Sequence, residues 1–173
     1  MSVFVTVGTT QFDALVNAVT SEAFIARIAA SGITQLTVQH GTSKPQSSNM
    51  GNTPLRLTLF DYSQSLHEHM STASIVISHA GAGSLLECLR LKKCTIAVPN
   101  ATLMHNHQAQ LAERMHQDKL VVSCNCDSDS LADLIVDRNK NVLSQLDPGA
   151  WDRGRDPLAG SRNVMRVLEE LVQ

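Results

Sequence analysis

A chain of 173 residues, 43% hydrophobic and 17% charged, is long enough for one sizeable core and too apolar to be disordered. A net charge of −2 gives no electrostatic footprint for nucleic acid, and four Phe, one Tyr and one Trp are too few for a base-stacking surface. No stretch approaches the roughly 20 apolar residues of a membrane span, and Met1-Ser2-Val3-Phe4-Val5 lacks the regions of a secretory leader, so a cytoplasmic protein is expected.

Ser2 to Val7 is a β-branched run that ends at Gly8-Thr9-Thr10. Phe12 to Ala30 follows with helical spacing of Leu15, Val16, Val19, Phe24, Ile25 and Ile28, which predicts one helix ending at Gly32. Leu36 to Gln39 reads as a second strand, 41–54 as a polar surface loop, and Leu55 to Tyr62 as a half-buried strand with Leu55, Leu57 and Leu59 on one face. Ser63 to Ser71 is a short helix candidate. Ile75-Val76-Ile77 then runs into the small-residue turn His79-Ala80-Gly81-Ala82-Gly83 and a helix through Leu85, Leu86, Leu89 and Leu91.

Thr95 to Val98 is the next strand, closed by Pro99, and Asn106 to Gln117 the next helix, with Leu111, Ala112 and Met115 on one face. Leu120-Val121-Val122 is a last short strand and Leu131 to Val136 part of a further helix. Strands alternating with helices predict an α/β fold with a mainly parallel, doubly wound sheet over residues 1–146; the strands flanking the 41–54 loop could instead pair antiparallel. Residues 147–161 form a Pro- and Gly-containing connector, and 162–173 an amphipathic helix carrying Val164, Val167, Leu168, Leu171 and Val172.

The candidate site lies where two strands end on one edge of this sheet, as ligand sites of open α/β folds do. Gly81 and Gly83 permit close backbone approach, and the free N–H groups opening the helix favour a phosphate; the same letters also suit a tight crossover with no ligand. The dinucleotide fingerprint fails at Leu86, which stands where a third glycine belongs; a Walker loop lacks Gly-Lys-Ser/Thr; and Gly81-Ala82-Gly83-Ser84 is not a hydrolase elbow. Ser84-x-x-Glu87 reads either as a capping box or as a carboxylate placed to accept two ribose hydroxyls.

Asn106 is a candidate helix N-cap, which would leave His105, His107 and Gln108 facing the crevice, with the Gln108 amide suited to sugar hydroxyls. The H-x-H spacing is not that of a helical zinc site, so neither metal nor cofactor is expected. His67-Glu68-His69 reads as a solvated face, and Asp127-Ser128-Asp129 as an acidic helix start rather than a metal-nucleotide motif. Cys88 and Cys94 read as buried free thiols; the Cys124-x-Cys126 pair fits no pattern.

Three motifs in order, Val5-Thr6-Val7-Gly8-Thr9-Thr10, then Ser78 to Leu89 (SHAGAGSLLECL), then Leu103-Met104-His105-Asn106-His107-Gln108, make the chain resemble, to about residue 122, the cytosolic subunit of the eukaryotic UDP-GlcNAc transferase of dolichol-linked oligosaccharide synthesis. That family is similar to the C-terminal, donor-binding half of the bacterial peptidoglycan GlcNAc transferase, a GT-B enzyme of glycosyltransferase family 28. The resemblance implies that the turn Gly81, Ala82, Gly83 and Ser84 holds the diphosphate, Glu87 the ribose, and His107 with Gln108 the GlcNAc, with His79 among the substrate-binding residues. Asn106 belongs to the same cluster, Gly8, Thr9 and Thr10 line the cleft, and Phe60-Asp61 lies near the uracil. The first loop, Gly8-Thr9-Thr10, departs from the glycine-richer loop of the bacterial enzyme.

A GT-B cleft needs two Rossmann-like halves, and this length accommodates one. The resemblance therefore implies a membrane-anchored, acceptor-binding partner; the apolar stripe of the 162–173 helix makes it the candidate docking element, the alternative being that it packs on its own domain. The chain itself would be recruited from the cytoplasm to the cytosolic face of the endoplasmic reticulum, to move GlcNAc from UDP-GlcNAc to GlcNAc-PP-dolichol with inversion. The catalytic base is unassigned, and a sugar-nucleotide-binding module without chemistry is the competing reading.

Overall fold

The computed structural model describes residues 1–45, 53–100, 107–136 and 143–148. Six strands form one sheet in the order β3-β2-β1-β4-β5-β6, every neighbouring pair parallel: β1 Ser2–Thr6, β2 Gln35–Gln39, β3 Arg56–Phe60, β4 Ile75–Ser78, β5 Cys94–Ala97 and β6 Val122–Ser123. This is the Rossmann-like α/β architecture that the alternation of elements predicts. The antiparallel option around the 41–54 loop is overturned, since Leu36 pairs with Leu57 and Val38 with Leu59 in parallel register. The long connection from Gln39 to Arg56 supplies the dozen or so residues that a parallel return requires. Strand β3 is the sheet's edge, and Leu59 is accordingly 41% exposed.

The predicted helix from Phe12 to Ala30 is two helices, α1 Asp13–Thr20 and α2 Glu22–Ala30. Ser21 is extended (φ −65°, ψ 146°), donates its hydroxyl to the Ala18 carbonyl at 2.8 Å and caps α2 by accepting from the Phe24 N–H at 3.3 Å. A serine followed by Glu22 is a helix-start signal, and it wins here over the continuous apolar spacing. The break lets Val16 and Val19 of α1, and Phe24, Ile25 and Ile28 of α2, all bury against the sheet.

The remaining helices are α3 His67–Thr72, α4 Ala82–Arg90, α5 His107–Gln117 and α6 Ser128–Val136, with a 3-10 turn at Leu143–Gln145. Alternation along the strands sorts them into two layers. Val3 and Val5 of β1 and Ile75 and Ile77 of β4 point toward α1, α2 and α6, whereas Phe4 and Val76 point toward Met70 of α3 and Cys88 of α4. Leu85 and Leu89 of α4 pack with Leu111, Ala112 and Met115 of α5 over Ala97. The chain turns left from β1 to β2 and right from β4 to β5, so β1 and β4 are adjacent strands whose following helices lie on opposite faces. That divergence opens a crevice above their C-terminal ends.

Asp127 caps α6 through its carboxylate, which accepts the Ser130 N–H at 2.7 Å, as expected of an acidic helix start. Arg27 of α2 reaches Asp129 at 3.2 Å and also Asp133 on α6, an exposed pairing of small energetic weight. All four cysteines are free thiols. Cys88 is fully buried and Cys94 only partly; Cys124 and Cys126, unassigned by their spacing, pack against the larger core cluster as small apolar side chains. Burial, with Asp127 nearby, pushes both of these thiols up to about 11, so they stay protonated at neutral pH.

Ile77 is fully buried in the central strand β4. Ile77→Ala is expected to lower the unfolding free energy by roughly 2–5 kcal/mol in urea denaturation, through lost burial and a residual cavity.

Candidate functional site

Because all six strands are parallel, their C-terminal ends share one edge, and the sequence-singled loops meet there. Thr6 of β1 lies opposite Ser78 of β4 and Gln39 of β2. Gly8-Thr9-Thr10 leaves β1 from this row and the turn 79–81 leaves β4, one toward each face of the sheet. Asn100, beyond β5, is buried and donates to the Gln11 carbonyl at 3.4 Å, tying the loop after β5 to the loop after β1.

Gln39, which sequence inspection passed over as an ordinary strand residue, holds the first loop in place. Its side chain is 2% exposed. Its Oε1 accepts from the Gly8 N–H at 2.9 Å and from the Thr6 hydroxyl at 2.6 Å, while its Nε2 donates to the carbonyls of Gly8 at 2.8 Å and Asp61 at 2.7 Å. One amide thus satisfies both backbone groups of Gly8 and pins the β1 loop to the end of β3. Thr10 closes the turn by donating its hydroxyl to the Val7 carbonyl at 2.7 Å, leaving Thr9 exposed at the tip.

His79 is 6% exposed, with its Nδ1 3.4 Å from the Thr6 carbonyl oxygen. Its ring sits between two residues that have no side chain. A Cβ on Gly8 would come within 2.8 Å of Cε1, and one on Gly81 within 2.3 Å of Nε2. Gly81 is therefore required by the imidazole, whereas a Cβ on Gly83 would meet nothing within 4 Å among the described residues. Of the two glycines singled out in the sequence, Gly83 is the one that the described residues leave open. Between His79 and Gly81, Ala80 adopts a left-handed conformation (φ 63°), a strained choice for a residue with a side chain, and buries its methyl completely.

Helix α4 starts two residues earlier than its sequence suggests, with Gly81 as N-cap and no side-chain cap. The first intrahelical bond runs from the Leu85 N–H to the Gly81 carbonyl, so the N–H groups of Ala82, Gly83 and Ser84 have no acceptor within the helix. They point to the edge at the positive end of the helix dipole. The shift also removes the capping-box reading, because Ser84 and Glu87 fall inside the helix. Glu87 instead stands on the second turn, its Oε1 3.1 Å from Nδ1 of His67 at the start of α3. The expected solvated face at His67 to His69 is thus only half right: His69 stacks against both Phe4 and Phe60, with ring centroids at 5.4 and 4.8 Å.

Helix α5 brings His107 and Gln108 to the same edge as its first two residues. The Gln108 Oε1 is buried without a hydrogen-bond partner among the described residues, a deficit of about 1–3 kcal/mol for a neutral polar group. His105 and Asn106, including the N-cap reading of Asn106, lie outside the described residues, as does the 162–173 helix. No three His, Cys, Asp or Glu side chains converge as metal ligands among the described residues, and no described helix is long and apolar enough to cross a membrane.

Burial holds the His79 imidazole below its ordinary value of 6.5, outweighing its contact with the Thr6 carbonyl. The neutral ring is therefore favoured in the fold. Its contribution to stability is complete above the unfolded-state value and is lost as pH falls below it. Denaturant unfolding measured from pH 7 down to 5 is expected to show a fall in stability that is flatter in His79→Gln.

The profile of the glycosyltransferase family 28 C-terminal domain matches residues 2–149. The human UDP-N-acetylglucosamine transferase subunit ALG13 is 39% identical over 124 residues, 72% of this chain but 11% of the human protein's length. A solution structure of ALG13 superposes with TM-score 0.68 at 25% identity, covering 99% of this chain and 97% of the other. MurG of Acinetobacter baumannii superposes at 0.66 with 16% identity, covering 97% of this chain and 49% of MurG, a likeness of fold. With its single parallel sheet built like the C-terminal half of a GT-B enzyme, the chain belongs to the glycosyltransferase family 28 C-terminal domain family.

Proposed function

We propose that the chain is the donor-binding subunit of an inverting glycosyltransferase that moves GlcNAc from UDP-GlcNAc to GlcNAc-PP-dolichol. The observation that carries this reading is the turn from His79 to Gly83, where, among the described residues, three N–H groups without a helical acceptor meet an unobstructed glycine face at the edge of the sheet. A diphosphate there accepts from the backbone of Ala82, Gly83 and Ser84, and charge developing on the departing UDP is met by the helix dipole. The support for UDP-GlcNAc as donor is the family together with the name carried by the human relative.

The remaining groups follow along the edge. Glu87 accepts the ribose hydroxyls and Gln108, whose Oε1 has no partner among the described residues, takes a GlcNAc hydroxyl, with His107 beside it. His79 and the Gly8-Thr9-Thr10 loop form the wall of the cleft. Phe60, Asp61 and the aromatic stack behind them lie toward the base. The acceptor hydroxyl attacks C1 from the side opposite UDP, and its deprotonation falls to a base on the other half of the cleft.

In this reading that other half is a membrane-anchored, acceptor-binding partner, engaged through the 162–173 segment, which recruits the chain to the cytosolic face of the endoplasmic reticulum. The 1–146 region is then the donor domain and 147–161 its connector.

Transfer from labelled UDP-GlcNAc by the chain with its membrane partner tests the proposal. Gly83→Ala adds one methyl where the protein leaves space, in a helix that gains up to about 1 kcal/mol from alanine. Thermal stability is expected to hold or rise while transfer falls by about tenfold or more, as suits a lost transition-state contact. Undiminished transfer would remove the turn from the donor site. Truncation after residue 161 is expected to abolish co-purification with the partner; retained co-purification would remove the docking role.

A further inference from the structure

The Glu87 carboxylate has one oxygen engaged and one available. Its Oε1 lies 3.1 Å from Nδ1 of His67, and it forms no other side-chain hydrogen bond among the described residues. His67 is itself fixed: it is the first residue of α3, its backbone N–H donates to the Ser65 hydroxyl at 3.2 Å, and the following turn is anchored by Met70, which is 1% exposed against Phe4 and Val76. The contact therefore joins two helices on the same face of the sheet. Glu87 stands five residues into α4 from Ala82, roughly 7.5 Å along the helix axis from the free N–H groups. A nucleoside diphosphate seated on those groups has its ribose, and not its phosphates, at that height.

We propose that His67 is a positioning residue for recognition of the ribose. Its Nδ1–H donates to Oε1, fixes the rotamer of Glu87 and leaves Oε2 directed to the cis-diol of the nucleotide. The logic is that of a ligating group oriented from behind by a fixed donor. A free glutamate on an exposed helix turn samples several rotamers, and ordering it on binding costs free energy that a preformed His67 contact removes beforehand. The consequence is selectivity: the pair favours ribonucleotides over 2′-deoxyribonucleotides, because the deoxy ligand leaves a desolvated carboxylate oxygen without its donor.

This inference rests on the reading of Glu87 as the ribose ligand, and the test separates the two. UDP and 2′-deoxy-UDP are titrated into the full-length chain, followed by amide chemical shifts, for the wild type, His67→Ala, His67→Asn and Glu87→Ala. Both side chains are solvent-accessible, 62% for His67 and 36% for Glu87, so thermal melting is expected to be near that of the wild type in every variant. The wild type is expected to bind UDP about tenfold more tightly than the deoxy ligand, the scale of one hydrogen bond to a charged group. His67→Ala is expected to lower that ratio to about threefold or less by weakening UDP alone, and His67→Asn, which places an amide donor where Nδ1 stood, to restore it. A ratio lowered by Glu87→Ala but unchanged in His67→Ala overturns the positioning role and leaves the ribose reading intact. A ratio unchanged in both, or no binding of UDP by the wild type, overturns the ribose reading and this inference with it.

Discussion

The packing of the His79 imidazole between Gly8 and Gly81 is the contact on which the site depends. Two loops that leave adjacent strands for opposite faces of the sheet have no reason of their own to stay in register. The buried ring, closed on both sides by residues lacking a Cβ, fixes their separation. The Gln39 amide then holds Gly8 by both of its backbone groups, so the crevice wall is set by one ring and one amide. The left-handed Ala80 follows from the same constraint, because the chain must reverse within two residues to start α4 at the edge. Backbone strain kept at a helix start, and offset by a buried methyl, is characteristic of binding edges.

Much of this was legible in the letters. The run from Ile75 to Leu91 announces a strand, a small-residue turn and an amphipathic helix because each obeys a local rule, and local rules are what a sequence displays. The reasons behind individual letters were less accessible. Gly81 reads as a ligand glycine, yet its neighbour two residues back demands it; Gly83, which looks equivalent, is the one without an internal reason. Gln39 was invisible because its four partners come from β1, its following loop and the end of β3, contacts that no spacing along the chain encodes. His69 likewise reads as surface until Phe4 and Phe60 are brought around it by the sheet. The helix break at Ser21 carried a signal, the serine followed by an acidic residue, that the continuous apolar spacing masked.

The arrangement divides recognition among elements with separate supports. In the proposed reading, phosphate recognition belongs to the α4 backbone and requires no particular side chain, so it tolerates sequence change provided Gly83 stays small. Sugar and ribose recognition in the proposed reading rest on single side chains, Gln108 and Glu87, each delivered by the start or second turn of a helix packed on the same face of the sheet. Helices fixed by a common core position such groups more tightly than loops can. In the proposed reading the chain supplies one half of a cleft, which is why the proposed activity is assigned to a complex.

Every role proposed for the site depends on where a nucleoside diphosphate contacts this fold. Titration of UDP into the isotopically labelled chain, read residue by residue through the backbone amides, measures this directly. The largest shifts are expected at Ala82, Gly83 and Ser84, with smaller ones at Gly8 and Glu87. Shifts concentrated instead around the cleft lined by His116, Lys119, Val122, Gln145 and Leu146 would place the nucleotide elsewhere and overturn the donor-site reading.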